Sequence, residues 1–220
     1  SYLEGQDMWH LGGIHRDVYL MALPKAYVSD HAITVSDMSA DATSATLHVA
    51  FALDNPAFMP AGKRDLNVRL LDAEGTVVGE TTCQINVSPD NTHSTATASM
   101  GLNGLHAWSS ETPYLYTVEV SQLNGGSEEM AFSTKYGFRN VQLLNADGTR
   151  YATVNGQRVY FKGVNAQDVQ ADKGHAIDTG TMLKDVLMMK QNNINTLRTS
   201  HYPRQPKMYA MMDYYGLYCM

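Results

Sequence analysis

Residues 179–203 read TGTMLKDVLMMKQNNINTLRTSHYP, and the reading of this stretch decides the fold. Met182, Val186 and Met189 recur at spacings of four and three, with Leu183 and Leu187 beside them, which predicts an amphipathic helix. Asp178 or Thr179 can accept from the free amides of its first turn. The Asn192-Asn193 pair can close it, because asparagine tolerates the left-handed backbone used at helix ends. Residues 194–199, INTLRT, roughly alternate apolar and polar side chains and predict a short strand. Polar residues then gather: Arg198, Ser200, His201 and Tyr202, closed by Pro203. An α/β barrel places its chemistry at the carboxyl ends of its strands, where the loops face one cleft.

Working outward, Lys207–Tyr215 predicts a second helix, with Met208, Met211, Met212 and Tyr215 at helical spacing, ended by Gly216. The methionines, 13 in all, read as adaptable core filling rather than as ligands. Upstream, Tyr151–Val154 and Arg158–Val164 predict strands joined by a turn at Asn155-Gly156. The apolar density around Val159–Phe161 suits a strand covered on both faces. Between Ala26 and Phe138 seven strand-like runs alternate with turn residues: Tyr27–Val35, Ser44–Leu53, Leu66–Leu71, Val77–Val87, Ser94–Met100, Tyr114–Leu123 and Glu128–Phe138. That count and spacing predict an immunoglobulin-like β-sandwich, one without the Cys…Trp…Cys bridge of antibody domains. Near the start, Val18–Met21 reads as a further strand, and Gly12-Gly13 as a tight turn.

The chain has 220 residues, enough for one to two domains, and 44% are apolar, ample for a core. No apolar run approaches the roughly 18 residues of a membrane span. A net charge of −6 speaks against nucleic-acid and anionic-membrane partners, which select basic patches. Cys83 and Cys219, far apart, give neither a disulfide framework nor a metal site. The compartment stays open. Asn86-Val87-Ser88 fits a glycosylation sequon but is short, and the composition suits a bacterial periplasmic or cytoplasmic enzyme.

The helix, the string N-x-N-x-x-R-x-S-H-Y-P at 193–203 and the following YYGLY match in order the opening of the catalytic barrel in glycoside hydrolase family 2. Trp9 to Val18 resembles the W-x-x-G-G-I-x-R-D-V that closes the family's jelly-roll sugar-binding domain. Trp108-Ser109-Ser110-Glu111-Thr112-Pro113-Tyr114-Leu115-Tyr116 resembles a segment of its sandwich, and Gly137-Phe138-Arg139 the exit toward the barrel. Within the family the resemblance is strongest to the β-galactosidases, with β-glucuronidases and β-mannosidases as relatives. It implies a tail of the jelly-roll at 1–23, a sandwich at 24–138, and the first part of a (β/α)8 barrel, truncated, at 139–220. With no initiator Met and an end inside a strand-like run, the chain reads as an internal piece of a longer enzyme.

The resemblance also implies the chemistry. Family 2 enzymes retain configuration, using an acid and a nucleophile that are both glutamates of later barrel strands, beyond Met220. This chain alone is therefore expected to be inactive. Retention requires carboxyls only about 5–5.5 Å apart, and Asp168 with Asp172, or Glu128 with Glu129, offer no reasoned substitute. The supporting residues it implies are Arg198, which would hold charge near the nucleophile, His201, which would meet sugar hydroxyls, and Asn165 and Asp168 at the rim. Trp9, Arg16, Asp17 and Trp108 read as structural, an aromatic anchor, an ion pair and a packing indole. After Asn165 the family's His and Glu are replaced by Ala166-Gln167-Asp168-Val169-Gln170, with Asp168 standing for the Glu, and the loop to His175 also departs. That loop keeps β-glucuronidase and β-mannosidase open, with Lys173 a cationic partner for a uronic acid. The implied partner is a β-galactoside or related sugar, with a homo-oligomer open and no nucleic acid or membrane. Mg²⁺ or Na⁺ is a family habit for which no complete ligand set is seen in the sequence. A rival of another class is a non-catalytic carbohydrate or interaction module built on the sandwich.

Overall fold

The computed structural model describes residues 9, 11–146 and 148–220, which group into two compact units. One comprises Met21–Ala107 and Tyr114–Val141; the other takes in the described part of 1–20 with Trp108–Pro113 and Gln142–Met220.

The first unit is a sandwich of seven antiparallel strands: β1 (Tyr27–Ser36), β2 (Ser44–Asp54), β3 (Gly62–Leu71), β4 (Val77–Val87), β5 (Ser94–Asn103), β6 (Tyr116–Asn124) and β7 (Ser127–Tyr136). One sheet runs β1-β2-β5 and the other β4-β3-β6-β7, so the fourth strand joins the second sheet. Alternation carries the fold. In β2, Leu47, Val49, Phe51 and Leu53 are buried, and Leu66, Val68 and Leu70 of β3 and Val118 and Val120 of β6 do the same in the facing sheet. Each such buried side chain stabilises by about 2 kcal/mol. Tyr116, at the start of β6, accepts the His106 amide on its hydroxyl at 2.9 Å, the tyrosine corner of immunoglobulin-like domains. Burial pushes its phenol above the ordinary range. Gln122 is fully buried yet satisfied, accepting from the Val28 amide and donating to the Ala26 carbonyl.

In the second unit, β8 (Val141–Ala146, its first residue grouped with the sandwich), β9 (Thr149–Val154) and β10 (Gln157–Val159) form a small antiparallel sheet. Asn155 and Gly156 both take positive φ in its hairpin, as the two-residue turn requires. The chain then runs β11 (Gly163–Ala166), α1 (Thr179–Gln191), β12 (Thr196–Thr199), α2 (Pro206–Tyr215) and β13 (Tyr218–Cys219). The three strands pair in parallel, in the order β11-β12-β13. This is the β/α alternation that opens a barrel. Asp178 caps α1, accepting from the Thr181 amide at 2.8 Å. Met182, Val186 and Met189 are its buried face, packed with Leu197, Met208, Met212 and Leu217. Trp108, 1% exposed, belongs to this unit.

Four expectations are corrected. Val18–Met21 forms no strand and is exposed throughout, since nothing pairs with it among the described residues. The strand expected over Arg158–Val164 is two strands, and Tyr160 and Phe161 between them are exposed rather than covered. β8 was not expected; all six of its side chains are exposed, so it carries no burial pattern to read. The sixth sandwich strand begins at Tyr116, because Tyr114 follows Pro113, which has no amide to give to a ladder. His10, within the tryptophan-led segment, lies outside the described residues.

Candidate active-site rim at the ends of the parallel strands

Parallel pairing brings the carboxyl ends of β11 and β12 to the same side. Asn165 stands opposite Arg198 and Ala166 opposite Thr199, so the two strands end level. Past the end of β12 the chain turns through Ser200 to Arg204. Arg198 Nη2 lies 3.3 Å from His201 Nδ1, and both side chains are exposed. A guanidinium only donates, so Nδ1 accepts and the ring proton falls on Nε2. Asn165 is exposed, whereas the other expected residue, Asp168, is not.

Asp168 is 4% exposed. Oδ1 accepts from Arg204 Nε, and Oδ2 from Arg16 Nη2 at 2.9 Å and the Gln205 amide at 3.2 Å. The Arg204 side chain is itself 1% exposed, and its two η nitrogens have no hydrogen-bond partner among the described residues. Arg16 also donates to the His175 carbonyl at 3.4 Å. The His175 ring meets two backbone carbonyls, Asp168 O at Nδ1 and Trp9 O at Nε2, each 2.8 Å away. A cavity of about 360 Å³, within the size range of small-ligand sites, opens between Arg16, Gln167, Asp168, His175, Tyr202 and Arg204. Burial raises the pKa of Asp185 on α1; the Arg204 charge opposes that and the Asp168 charge adds to it.

The site thus gathers Arg198, His201 and Asn165 as exposed polar groups and Asp168 as a buried anchor. Arg16 and Asp17, read together as one ion pair, take separate partners: Arg16 pairs with Asp168, and Asp17 with Lys207 at 3.0 Å. Arg204 and His175 were not singled out as site residues. Their only sequence signal is polarity in loops that follow the barrel strands. Lys173 is engaged by Asp178 at 2.6 Å, which holds the Asp178 carboxyl at about 2 and raises the lysine.

Neither Glu128 with Glu129 nor Asp168 with Asp172 stands ready as a carboxylate pair for glycoside cleavage. Glu128 takes the Ser121 hydroxyl. Glu129 is hydrogen-bonded by Arg64, Gln122 and Asn124; burial raises its pKa, and these bonds outweigh it to leave the carboxyl below its ordinary value. Asp168 is enclosed by cations, and Asp172 is exposed on its loop. Among the described residues no group of three or more His, Cys, Asp or Glu side chains could hold a metal ion. No described helix is long and apolar enough to cross a membrane.

Comparison with known proteins gives the same frame. The chain is 34% identical over 228 residues to a β-galactosidase of Pseudoalteromonas haloplanktis and 36% identical over 223 residues to one of Bifidobacterium adolescentis. Each match covers 99% of this chain and 20% of the relative, so the chain spans about a fifth of the curated proteins it matches. In fold it is similar to a β-glucuronidase of Bacteroides uniformis, at a TM-score of 0.87 and 24% identity, covering 98% of this chain and 26% of that one. Residues 148–220 match the model described as "Glycosyl hydrolases family 2, TIM barrel domain". Residues 26–139, the sandwich that precedes it, match the model "Glycosyl hydrolases family 2". With both models falling in order on the sandwich and on the β/α units that carry Arg198 and His201, the chain belongs to glycosyl hydrolases family 2.

Proposed function

We propose that the whole protein to which this chain belongs hydrolyses terminal β-D-galactosides with retention of configuration, and that this chain supplies one rim of the cleft. The observation that carries the reading is identity of about one residue in three with curated β-galactosidases along 99% of the chain. Retaining hydrolysis passes through a glycosyl-enzyme intermediate formed by one carboxylate while a second acts as acid and then base. Both would come from barrel strands outside this chain. Arg198 would hold a carboxylate by its planar pair of donors. His201, with its ring proton on Nε2, would donate to a sugar hydroxyl, a bond that gains strength as charge develops in the transition state. Asn165 would meet the substrate from the neighbouring strand end, and Asp168 would support the loop rather than the sugar.

We read residues 1–23 as the end of a jelly-roll domain, 24–138 as the sandwich and 139–220 as the start of the barrel. On this reading the whole enzyme could also take a cation such as Mg²⁺ or Na⁺. A homo-oligomer is compatible with this arrangement. A uronic-acid substrate is the second reading, but Lys173, the cation offered for it, already pairs with Asp178.

The test is a panel of chromogenic β-galactoside, β-glucuronide and β-mannoside given to the full-length protein, with this chain run alongside. Turnover of the galactoside by the full-length protein only is expected. Turnover of the glucuronide or mannoside in its place would move the protein to a sister activity. Turnover by this chain alone would overturn the assignment of both carboxylates to later strands.

A further inference from the structure

The turn that follows β12 is held at both ends. At its start, Thr199 is tied into the sheet, its amide donating to the Met220 carbonyl at 2.9 Å. At its far end, Arg204 and the Gln205 amide are held on the carboxylate of Asp168, which belongs to the loop leaving the neighbouring strand. His201 lies between these two anchors. The anchor is directional: Nε approaches one carboxylate oxygen, while Arg16 and the Gln205 amide share the other. It is also dry, with the Asp168 and Arg204 side chains 3% and 1% exposed. A salt bridge in that setting is weak evidence for stability, and its better-attested use is to fix one arrangement among several.

We propose that Asp168, through Arg204, is a positioning residue for His201. The buried pair sets the path of residues 200–205 and so the place at which the imidazole meets substrate. The inference rests on the proposed glycosidase reading for its consequence in catalysis, but the positioning itself is a property of the loop and can be measured without turnover.

The decisive variant replaces both charges by apolar side chains of similar size, Asp168→Leu with Arg204→Met, because removing one partner alone would strand a buried charge and threaten the fold. Hydrogen–deuterium exchange of the full-length protein reads the loop. Amides of 200–205 are expected to exchange about tenfold faster in the double variant while those of α1 keep their protection. In steady-state kinetics on an aryl β-galactoside, kcat is expected to fall about tenfold or more with KM moving less than about threefold, as for a displaced catalytic geometry. A double variant with wild-type loop exchange and wild-type kcat would overturn the proposal, since neutralising the charges would then have been all the pair required. If α1 also loses protection, Arg16→Gln serves instead, removing the half-exposed donor and leaving the buried pair. Loop exchange about threefold faster is then expected, and unchanged exchange overturns the proposal. Were the wild type inactive on every glycoside, the functional reading would fail and the exchange data alone would still decide the positioning.

Discussion

The indole Nε1 of Trp108 donates to the backbone carbonyl of Asp213 at 2.8 Å, near the end of α2. That carbonyl is among the last four of the helix, which have no donor within it. The ring also meets Tyr218 edge-on, with centroids 5.6 Å apart. Trp108 therefore acts as a C-terminal support for α2 and as a wedge beside β13. Trp108→Phe should cost about 1–2 kcal/mol, chiefly the lost hydrogen bond. Trp108→Ala should cost about 3–5 kcal/mol through the cavity it leaves. Denaturant titration of both variants measures this. Wild-type stability in Trp108→Phe would show that the hydrogen bond contributes nothing, and equal losses in the two variants that the cavity adds nothing to it.

Gly216 ends α2 at a φ of 76°, in the left-handed region that favours glycine. A Cβ there would come within 3 Å of the Ser110 backbone, whose hydroxyl also donates to the Gly216 carbonyl. Gly216→Ala should therefore cost more than the backbone penalty alone, about 2 kcal/mol or above. The same titration reads it, and a loss under about 1 kcal/mol would mean that the Ser110 segment yields without cost.

These two contacts mark where the sequence stops being legible. The helix over 179–191 can be read in advance because its cap, its apolar face and its terminating asparagines all lie within fifteen neighbours. The sandwich strands can be counted because burial alternates along each of them, as in Leu47, Val49, Phe51 and Leu53. By contrast Asp168 meets Arg204 across 36 positions and Arg16 across 152, and no local pattern links charges that far apart. Arg198 and His201 could be proposed for the site because they crowd one strand end. That Asp168 faces inward is decided by partners the sequence does not juxtapose. The exposed run 141–146 failed for a simpler reason: a strand without a buried face shows no period.

Asp178 supplies a pH dependence. Its carboxyl sits at about 2, held down first by the hydrogen bond from Lys173 and then by the Thr181 amide and hydroxyl. A folded pKa below the unfolded one, near 3.8, gives stability that is present above pH 3.8 and lost as pH falls through about 2. Asp178→Asn keeps a good N-cap but removes the charge. Between pH 4 and 2 the wild type should lose more of its melting temperature than the variant. Parallel curves over that window would show the Lys173 pair to be silent in the folding balance.

His201→Ala should lower kcat/KM of the full-length enzyme on its galactoside by about a hundredfold, the scale of one transition-state hydrogen bond. The melting temperature should stay close to wild type, because the side chain is exposed. Arg198→Lys, which keeps charge but loses the planar fork, should lower kcat by about tenfold or more. Steady-state kinetics with thermal melts of the same preparations separate catalysis from folding. Wild-type kinetics in His201→Ala would remove the imidazole from the site.

The barrel part of the chain also predicts its own behaviour in isolation. Among the described residues, β11 and β13 each pair on one side only, which leaves strand edges open. Leu143 is 84% exposed, and with Leu144, Tyr160 and Phe161 it lines an open apolar depression beside the β8–β10 sheet. Apolar surface of this kind on a free chain favours association. The 24.3 kDa chain should therefore sediment as a monomer only when dilute, and its mean mass should rise with concentration. Placing lysine at Leu143 and Phe161 should shift that rise to higher concentration without lowering the melting temperature of the sandwich, whose core holds neither residue. A chain that stays monomeric across the range, with protected amides throughout 139–220, would show that these edges and this depression close on themselves.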